Sequence, residues 1–123
     1  MALRETWALY EGAWSESDPV TRAAILDGTL DEAFVYSDPS IRTDSPDALS
    51  HHIGELQRAI PGLRIVTTSF AAHHDACLVA WTLHNGSSVV VTSGVTCGEF
   101  LGNGRLKKAT VFFTPLTTPA ACS

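Results

Sequence analysis

The chain has 123 residues, which is the length of one ordinary domain and leaves no room for a second. Apolar residues make up 45% of the chain and charged residues 17%, which excludes an intrinsically disordered protein. The formal net charge of -5 argues against a nucleic-acid partner, which would need a basic surface. We expect no membrane partner either, because no run of ~18 apolar residues is present.

The N-terminal segment and the cysteines indicate where the protein resides. The first ten residues contain both Arg4 and Glu5 and are followed by no continuous apolar segment, so we expect no signal peptide. The three cysteines are an odd number without a Cys-x-x-Cys pair, which predicts neither a disulfide framework nor a zinc site. Ordinary thiols fit a reducing compartment, and we therefore expect a cytoplasmic protein.

Three segments near the N-terminus have the signals of helices. The first has one apolar face, formed by residues spaced four, three and four apart: Leu3, Trp7, Tyr10 and Trp14. A second helix is predicted from the cap-and-proline pair Asp18-Pro19 to the glycine signal at Asp27-Gly28. A third is predicted between Asp44-Ser45-Pro46 and Pro61-Gly62.

The remaining segments have the composition of strands. A short strand over residues 33–36 is predicted to end at Asp38-Pro39, because proline cannot donate to a ladder. Four further strands, rich in valine, threonine and aromatic residues, are predicted after the third helix: Arg64–Phe70, Cys77–His84, Val89–Leu101 and Arg105–Thr114. The turn residues between them predict hairpins and hence an antiparallel meander. Residues 115–123 are predicted to be a flexible tail after a single domain over 1–114.

Helices that are segregated from an antiparallel sheet predict an α+β domain. Residues 89–91 and 111–113 are apolar at successive positions, so we expect both faces of the sheet to be covered there. The helices cover one face, and we expect a second copy of the chain to cover the other, which gives a homodimer. A curved sheet under helices also leaves an apolar cavity, the usual site for a small hydrophobic molecule.

Several motifs occur in the order that is typical of one superfamily. They are Phe34–Pro39 with the helix after it, Pro61-Gly62 and Gly104-Arg105-Leu106. Together they resemble the nuclear transport factor 2-like, or SnoaL-like, proteins over roughly Leu3 to Thr114. The resemblance implies a cone-shaped pocket built from three helices and a strongly curved, mainly antiparallel sheet. That superfamily includes ketosteroid isomerases, polyketide cyclases and dehydratases, and also members without assigned activity, so the fold predicts a pocket better than a reaction.

Asp38 stands where the resemblance implies the catalytic base of the isomerases. Phe34, Tyr36 and Asp38 are spaced two residues apart, so in a strand their side chains are expected on the same face of the sheet. A carboxylate in an apolar cavity can take a proton from a carbon next to a carbonyl. The alternative is a turn residue that binds nearby backbone amides. If Asp38 is the base, we expect Asp38→Asn to leave the fold equally or more stable, whereas a turn residue would cost about 1–3 kcal/mol.

Tyr10 and Thr96 are the next candidates. The spacing of Tyr10 to the turn at Asp18 resembles that of the isomerase tyrosine that donates a hydrogen bond to the substrate oxygen, and the alternative is a core tyrosine bonded to backbone. Thr96 departs from the family pattern, because isomerases and cyclases carry an acid at this position. A threonine hydroxyl donates a hydrogen bond but carries no proton near neutral pH. This argues against steroid isomerase activity and against the cyclase activity of those relatives.

Other residues are expected to support the site. His52 adjoins the apolar stripe of the third helix and is either a general acid–base or a histidine at the edge of the core. We expect the substrate to be contacted by aromatic and hydroxyl side chains: Trp14, Tyr36, Trp81, Thr96 and Phe112. His52 and Glu55 lack a plausible third ligand, and no nucleotide-binding motif occurs, so we expect neither a metal nor a cofactor.

These observations lead to one main hypothesis and two alternatives. The main one is a homodimer that binds a small hydrophobic molecule and, if it is an enzyme, moves protons in the isomerisation, dehydration or cyclisation of a carbonyl compound. Asp38 would be the base, Tyr10 the donor to the oxyanion and His52 a supporting catalytic group. The first alternative is a non-catalytic dimer of the same fold that binds a ligand or a protein. The second is a dehydratase that uses His52 or His84 with Tyr36 and Asp38.

Overall fold

A computed structural model of the chain describes residues 3–113. The helices of this part are α1 (Leu3–Ala13), α2 (Pro19–Thr29) and α3 (Pro46–Ala59). Its strands are β1 (Leu30–Ser37), β2 (Arg42–Thr43), β3 (Arg64–His73), β4 (Ala76–His84), β5 (Val90–Phe100) and β6 (Leu106–Phe113). The predicted tail at 115–123 lies outside the described residues.

The predicted caps set where α2 and α3 begin. Asp18 accepts a hydrogen bond from the backbone N–H of Thr21, and proline occupies the first turn of α2. Ser45 accepts in the same way from the N–H of Ala48 at the start of α3. These side chains satisfy amides that have no partner within the helix, and proline has no such amide to satisfy. The glycine signal did not end α2, which runs on to Thr29 and leads directly into β1.

The six strands form one sheet in the order β2-β1-β6-β5-β4-β3. The strands β3 to β6 are antiparallel neighbours, which confirms the predicted meander. Two features differ from the sequence-based prediction. The strand β1 begins at Leu30 and pairs in parallel with β6, and the two-residue strand β2 was not predicted. The α+β fold class, with three helices packed on a mainly antiparallel sheet, is confirmed.

A network around Arg22 joins the helices. The Arg22 side chain is buried and donates hydrogen bonds to the hydroxyl of Ser50, the side-chain oxygen of Gln57 and the carbonyl of Glu16. Gln57 in turn donates to the carbonyls of Trp14 and Glu16. Because these bonds link the end of α1 to α2 and α3, they fix the position of Trp14 relative to α3. The guanidinium is satisfied by hydrogen bonds, as a buried charge requires.

The core lies between the helices and one face of the sheet, and aromatic side chains form much of it. Trp7, Tyr10, Trp14, Phe34 and Tyr36 are all buried there. Register shifts interrupt the pairing of β1 with β6, of β3 with β4, of β4 with β5 and of β5 with β6. Such irregularities increase the local twist and bend a strand. Within residues 3–113 no helix is long and apolar enough to span a bilayer.

Candidate functional site

A cavity of about 340 Å³ lies between the helices and the sheet. Its walls are mostly apolar and include Trp7, Trp14, Leu56, Ile65, Leu83 and Phe113. A smaller set of polar side chains reaches the same space: Tyr10, Glu11, Tyr36, Asp38, His52 and Thr96. An apolar space of this size with a few polar groups is typical of a small-molecule site.

Asp38 lies in the turn after β1, and its side chain lines this cavity. Its Oδ1 accepts hydrogen bonds from the backbone N–H groups of Ser40, at 2.7 Å, and Ile41, at 3.0 Å. Its Oδ2 accepts a hydrogen bond of 2.6 Å from the hydroxyl of Tyr36. The Asp38 side chain is only 6% exposed. Both interpretations of Asp38 therefore have a structural counterpart, since one oxygen holds the turn and the residue also lines the cavity.

Tyr36 and His52 flank the same carboxylate. His52 Nε2 lies 4.0 Å from Asp38 Oδ2. The centre of the His52 ring lies 5.9 Å from the centre of the Tyr36 ring and 6.2 Å from that of the Trp14 ring. Burial raises the pKa of Tyr36 far above its usual value, and electrostatic interactions with Tyr10 and Asp38 and the hydrogen bond to Asp38 add to this. Tyr36 therefore stays a neutral hydroxyl that donates to Asp38 at any ordinary pH.

Tyr10 is the second phenol of the cavity. The centre of its ring lies 4.9 Å from the centre of the Trp7 ring and 6.1 Å from that of the Phe34 ring. Burial raises the pKa of Tyr10 well above its usual range; a hydrogen bond with Trp14 lowers it in part, and the charges of Glu11 and Asp38 raise it. Tyr10 is thus a neutral hydrogen-bond donor within electrostatic reach of two carboxyl groups.

Trp81 and Thr96 connect β4 and β5 beneath the cavity. The Trp81 Nε1–H donates a hydrogen bond of 2.9 Å to Thr96 Oγ1, and both side chains are buried. The Thr96 oxygen thus has a fixed donor, while the hydroxyl hydrogen remains able to donate to another group. Thr96 can help to bind a ligand here but cannot replace a titrating acid.

Glu11 is a cavity residue that the sequence analysis missed. It is half-buried, and the Thr67 hydroxyl donates a hydrogen bond to its Oε2. Burial raises the pKa of Glu11, while contacts with Thr67 and Trp7 oppose that rise. The sequence contains a spacing that could have identified Glu11, because it follows Trp7 by four residues and precedes Trp14 by three. Those spacings place the carboxyl on the apolar face of α1.

The structure brings most of the predicted site residues together. Seven of the eight predicted residues line the cavity described above: Tyr10, Trp14, Tyr36, Asp38, His52, Trp81 and Thr96. Phe112 is the exception, because it is 58% exposed and its neighbours Val111 and Phe113 line the cavity instead. The sequence could not place Phe112, because residues on both faces of β6 are apolar there, and its role as a substrate contact stays a prediction. The pattern alone could not tell which residues face the helices.

Two further expectations concern groups around the site. His84 pairs with the Thr82 hydroxyl at 2.8 Å and is not a cavity-lining residue, so the dehydratase alternative keeps His52 but not His84. Across the described residues 3–113, no three metal-ligating side chains of His, Cys, Asp or Glu are grouped. The absence of a resident metal remains a prediction.

Comparison with solved structures identifies similar folds. A candidate isomerase of the SnoaL-like family from Agrobacterium tumefaciens has a TM-score of 0.84 and 20% identity, covering 90% of this chain and 96% of that chain. A candidate SnoaL-like polyketide cyclase from Jannaschia sp. CCS1 has a TM-score of 0.74 and 18% identity, covering 90% and 84%. An NTF2-like protein of unknown function from Cytophaga hutchinsonii has a TM-score of 0.72 and 10% identity, covering 94% and 92%.

No family model and no curated protein matches the sequence. The structural likeness extends over nearly the whole length of each neighbour, at identities where only the fold is retained. The arrangement of three helices on a mainly antiparallel sheet is therefore shared with these solved proteins. The chain has the α+β fold of the SnoaL-like and NTF2-like proteins.

Proposed function

We propose that this protein binds a small apolar carbonyl compound in the cavity and catalyses a cofactor-free proton transfer on it. The reaction would be of the isomerisation, dehydration or cyclisation type. One observation carries the proposal: Asp38 lines an apolar cavity with its carboxylate held by two backbone amides and by Tyr36. Structural neighbours described as a candidate isomerase and a candidate cyclase have the same fold, which supports this reaction class.

The proposed first step uses two side chains. Asp38 Oδ2 accepts a proton from the carbon next to the carbonyl, and the electron pair of that C–H bond moves onto the carbonyl oxygen. Tyr10, which burial keeps protonated, donates a hydrogen bond to the resulting enolate. Asp38 then returns the proton to another carbon in an isomerisation, or the enolate expels a group or attacks a second carbonyl. His52 lies 4.0 Å from Asp38 Oδ2 and is a supporting acid–base group.

A non-catalytic binding protein is the second candidate, and one observation favours it. Thr96 is bonded to Trp81 and cannot carry a proton, so the position that holds an acid in the enzymes this chain resembles has no titrating group. In this case the cavity would bind the same apolar compounds without turnover. The two candidates differ in whether a bound ketone exchanges its α-hydrogens.

Exchange of α-hydrogens in deuterium oxide tests the proposal without knowledge of the natural substrate. Cyclohexanone and 1-indanone are incubated with the protein, and proton loss next to the carbonyl is followed by NMR. We expect the protein to accelerate exchange over buffer and Asp38→Asn to reduce it by about a hundredfold or more. Asp44→Asn is the matched control, because Asp44 is exposed near the start of α3 and does not line the cavity. Ketone binding that quenches tryptophan fluorescence without exchange would support the non-catalytic candidate instead.

A further inference from the structure

Two carboxyl groups line the cavity within the described part of the chain, and they come from different elements. Asp38 follows β1, whereas Glu11 lies on α1. Glu11 is tied to the sheet, because the Thr67 hydroxyl of β3 donates to its Oε2. Thr67 is the register partner of Trp81, so this bond places Glu11 at the wall formed by α1, β3 and β4. The Glu11 carboxyl is therefore held at this wall by a hydrogen bond from β3.

A buried donor lies beside Glu11. The Trp7 side chain is 5% exposed and lines the cavity, and its Nε1–H has no hydrogen-bond partner in residues 3–113. Trp7 is near enough to Glu11 to lower the pKa of that carboxyl in part, although no hydrogen bond of normal geometry forms. An unpaired N–H in an apolar wall is costly unless a ligand atom accepts it. Trp7 and Glu11 thus make a polar spot that suits an oxygen of a ligand.

Burial raises the pKa of Glu11, so this carboxyl keeps its proton at a pH where an exposed glutamate has lost it. The other titratable groups of the cavity are Tyr10, Tyr36, Asp38 and His52. Both Glu11 and Asp38 raise the pKa of Tyr10, which places both carboxyl groups within electrostatic reach of its hydroxyl. From β3 the direct partner of Glu11 is the uncharged Thr67.

We propose that the substrate is a β-hydroxy carbonyl compound and that Glu11 is the acid that protonates its departing hydroxyl. This deepens the proposed function and rests on it. A carbonyl oxygen bound to Tyr10 would place the α-carbon toward Asp38 and the β-hydroxyl toward Glu11. The hydroxyl oxygen would accept the free N–H of Trp7. The three groups of a β-hydroxy carbonyl compound thus each meet a side chain of suitable chemistry.

The proposed step balances as follows. The C–H bond at the α-carbon breaks and its proton goes to Asp38, while its electron pair forms the new carbon–carbon double bond. The bond from the β-carbon to oxygen breaks, and the oxygen takes its pair and the proton of Glu11 and leaves as water. The products are an α,β-unsaturated carbonyl compound, a protonated Asp38 and an ionised Glu11. Exchange with solvent, which the half-buried Glu11 can reach, restores both protonation states.

The test compares a substrate that needs an acid with one that does not. The full-length protein is given 3-hydroxycyclohexanone, which must lose water, or 3-acetoxycyclohexanone, whose acetate leaves without protonation. Formation of cyclohexenone is followed by its ultraviolet absorbance. We expect Glu11→Gln to lose about a hundredfold in the first reaction and to recover most of that loss with the acetate. Glutamine keeps the shape and an oxygen that accepts from Thr67, so the variant should fold.

Controls separate this inference from the proposed function. Glu5→Gln, an exposed glutamate on the same helix, should leave both reactions as in the unmodified protein. Asp38→Asn should lose both reactions. Equal losses of Glu11→Gln on the two substrates, or none on the hydroxyl substrate, would overturn the role of Glu11. A protein that exchanges the α-hydrogens of cyclohexanone but does not dehydrate 3-hydroxycyclohexanone would overturn this inference and leave the proposed function standing. A protein that does neither would overturn both.

Discussion

Asp38 bears on two properties of the protein, the local fold and the chemistry of the cavity. One carboxylate oxygen binds the amides of Ser40 and Ile41, and the other binds Tyr36. The turn would lose these partners together if the carboxylate were removed. The structure thus changes the expectation from sequence that Asp38→Asn would be neutral or stabilising. A group that holds three donors contributes to stability as well as to chemistry.

We therefore expect two substitutions of Asp38 to differ in cost. Asp38→Asn keeps an oxygen for the turn amides and should lose about 1 kcal/mol of unfolding free energy. Asp38→Ala leaves the buried Tyr36 hydroxyl and both amides without this partner, and should lose about 3 kcal/mol. Denaturant unfolding of the two variants measures the difference. An Asp38→Ala variant as stable as the unmodified protein would show that the turn does not depend on this side chain.

The pH dependence of stability tests the burial of the tyrosines. The sequence contains two tyrosines, Tyr10 and Tyr36, and both have a raised pKa in the fold. In the unfolded chain a tyrosine ionises near pH 10, so above that pH the unfolded state binds fewer protons than the folded state. Stability is unaffected by these groups below about pH 10 and falls as the pH rises above it.

Tyrosinate absorbance provides the measurement, since it reports only these two residues. We expect no ionisation near the usual pKa while the protein is folded, and an abrupt increase that coincides with the loss of circular dichroism. The denatured protein is the control and should titrate normally. A folded protein in which one tyrosine ionises near pH 10 would contradict the burial of that residue.

Prediction from sequence succeeded at the level of elements where local signals were strong. Asp18 and Ser45 cap helices as predicted, because a side-chain oxygen followed by proline satisfies a helix start wherever the helix packs. The pairing of β1 with β6 joins segments far apart in the chain, so no local signal could show it. At Phe112 the uniform apolar composition hid the orientation, and at Glu11 a charged residue on an apolar face was overlooked.

Gly94 in β5 is a position where packing between elements limits the side chain. A Cβ there would lie 2.5 Å from the carbonyl oxygen of Phe112 and 2.5 Å from the Trp81 ring. Both the backbone of β6 at Phe112 and the Trp81 ring would have to move, and the hydrogen bond from Trp81 to Thr96 would be disturbed. We expect Gly94→Ala to cost about 2–3 kcal/mol and to weaken ketone binding. Thermal unfolding and fluorescence titration measure the two effects.

Gly102 provides the matched control for this substitution. A Cβ at Gly102 meets nothing within 4 Å, so Gly102→Ala should change the unfolding free energy by less than about 0.5 kcal/mol. The two variants add the same methyl group, one within β5 and one in the turn after it. Equal stability of both variants would show that Trp81 is not confined as the structure indicates.

At the scale of the whole molecule, the sheet carries apolar side chains on the face away from the cavity. Phe112, Val95 and Leu78 are 58%, 37% and 50% exposed on the three neighbouring strands β6, β5 and β4. Val95 is the register partner of both Phe112 and Ala80, so Phe112, Val95 and Ala80 form one row across the sheet. Leu78 lies two residues from Ala80 in β4 and therefore on the same face. Contiguous exposed apolar surface of this kind marks an interaction site in soluble proteins.

We propose that a second copy of the chain covers this face. The sequence predicts such a cover, because residues 89–91 and 111–113 are apolar at successive positions and therefore on both faces of the sheet. A stable interface of this type removes about 800 Å² from each partner. Sedimentation at micromolar concentration should then give twice the chain mass of 13.1 kDa. Phe112→Asp, which replaces the most exposed apolar side chain of the row by a charge, should give a monomer that still folds. Leu9→Asp makes the same kind of change at an exposed residue of α1 and should remain a dimer. An unmodified protein that sediments as a monomer would refute the dimer, and a dimer that only Leu9→Asp disrupts would place the interface on the helices.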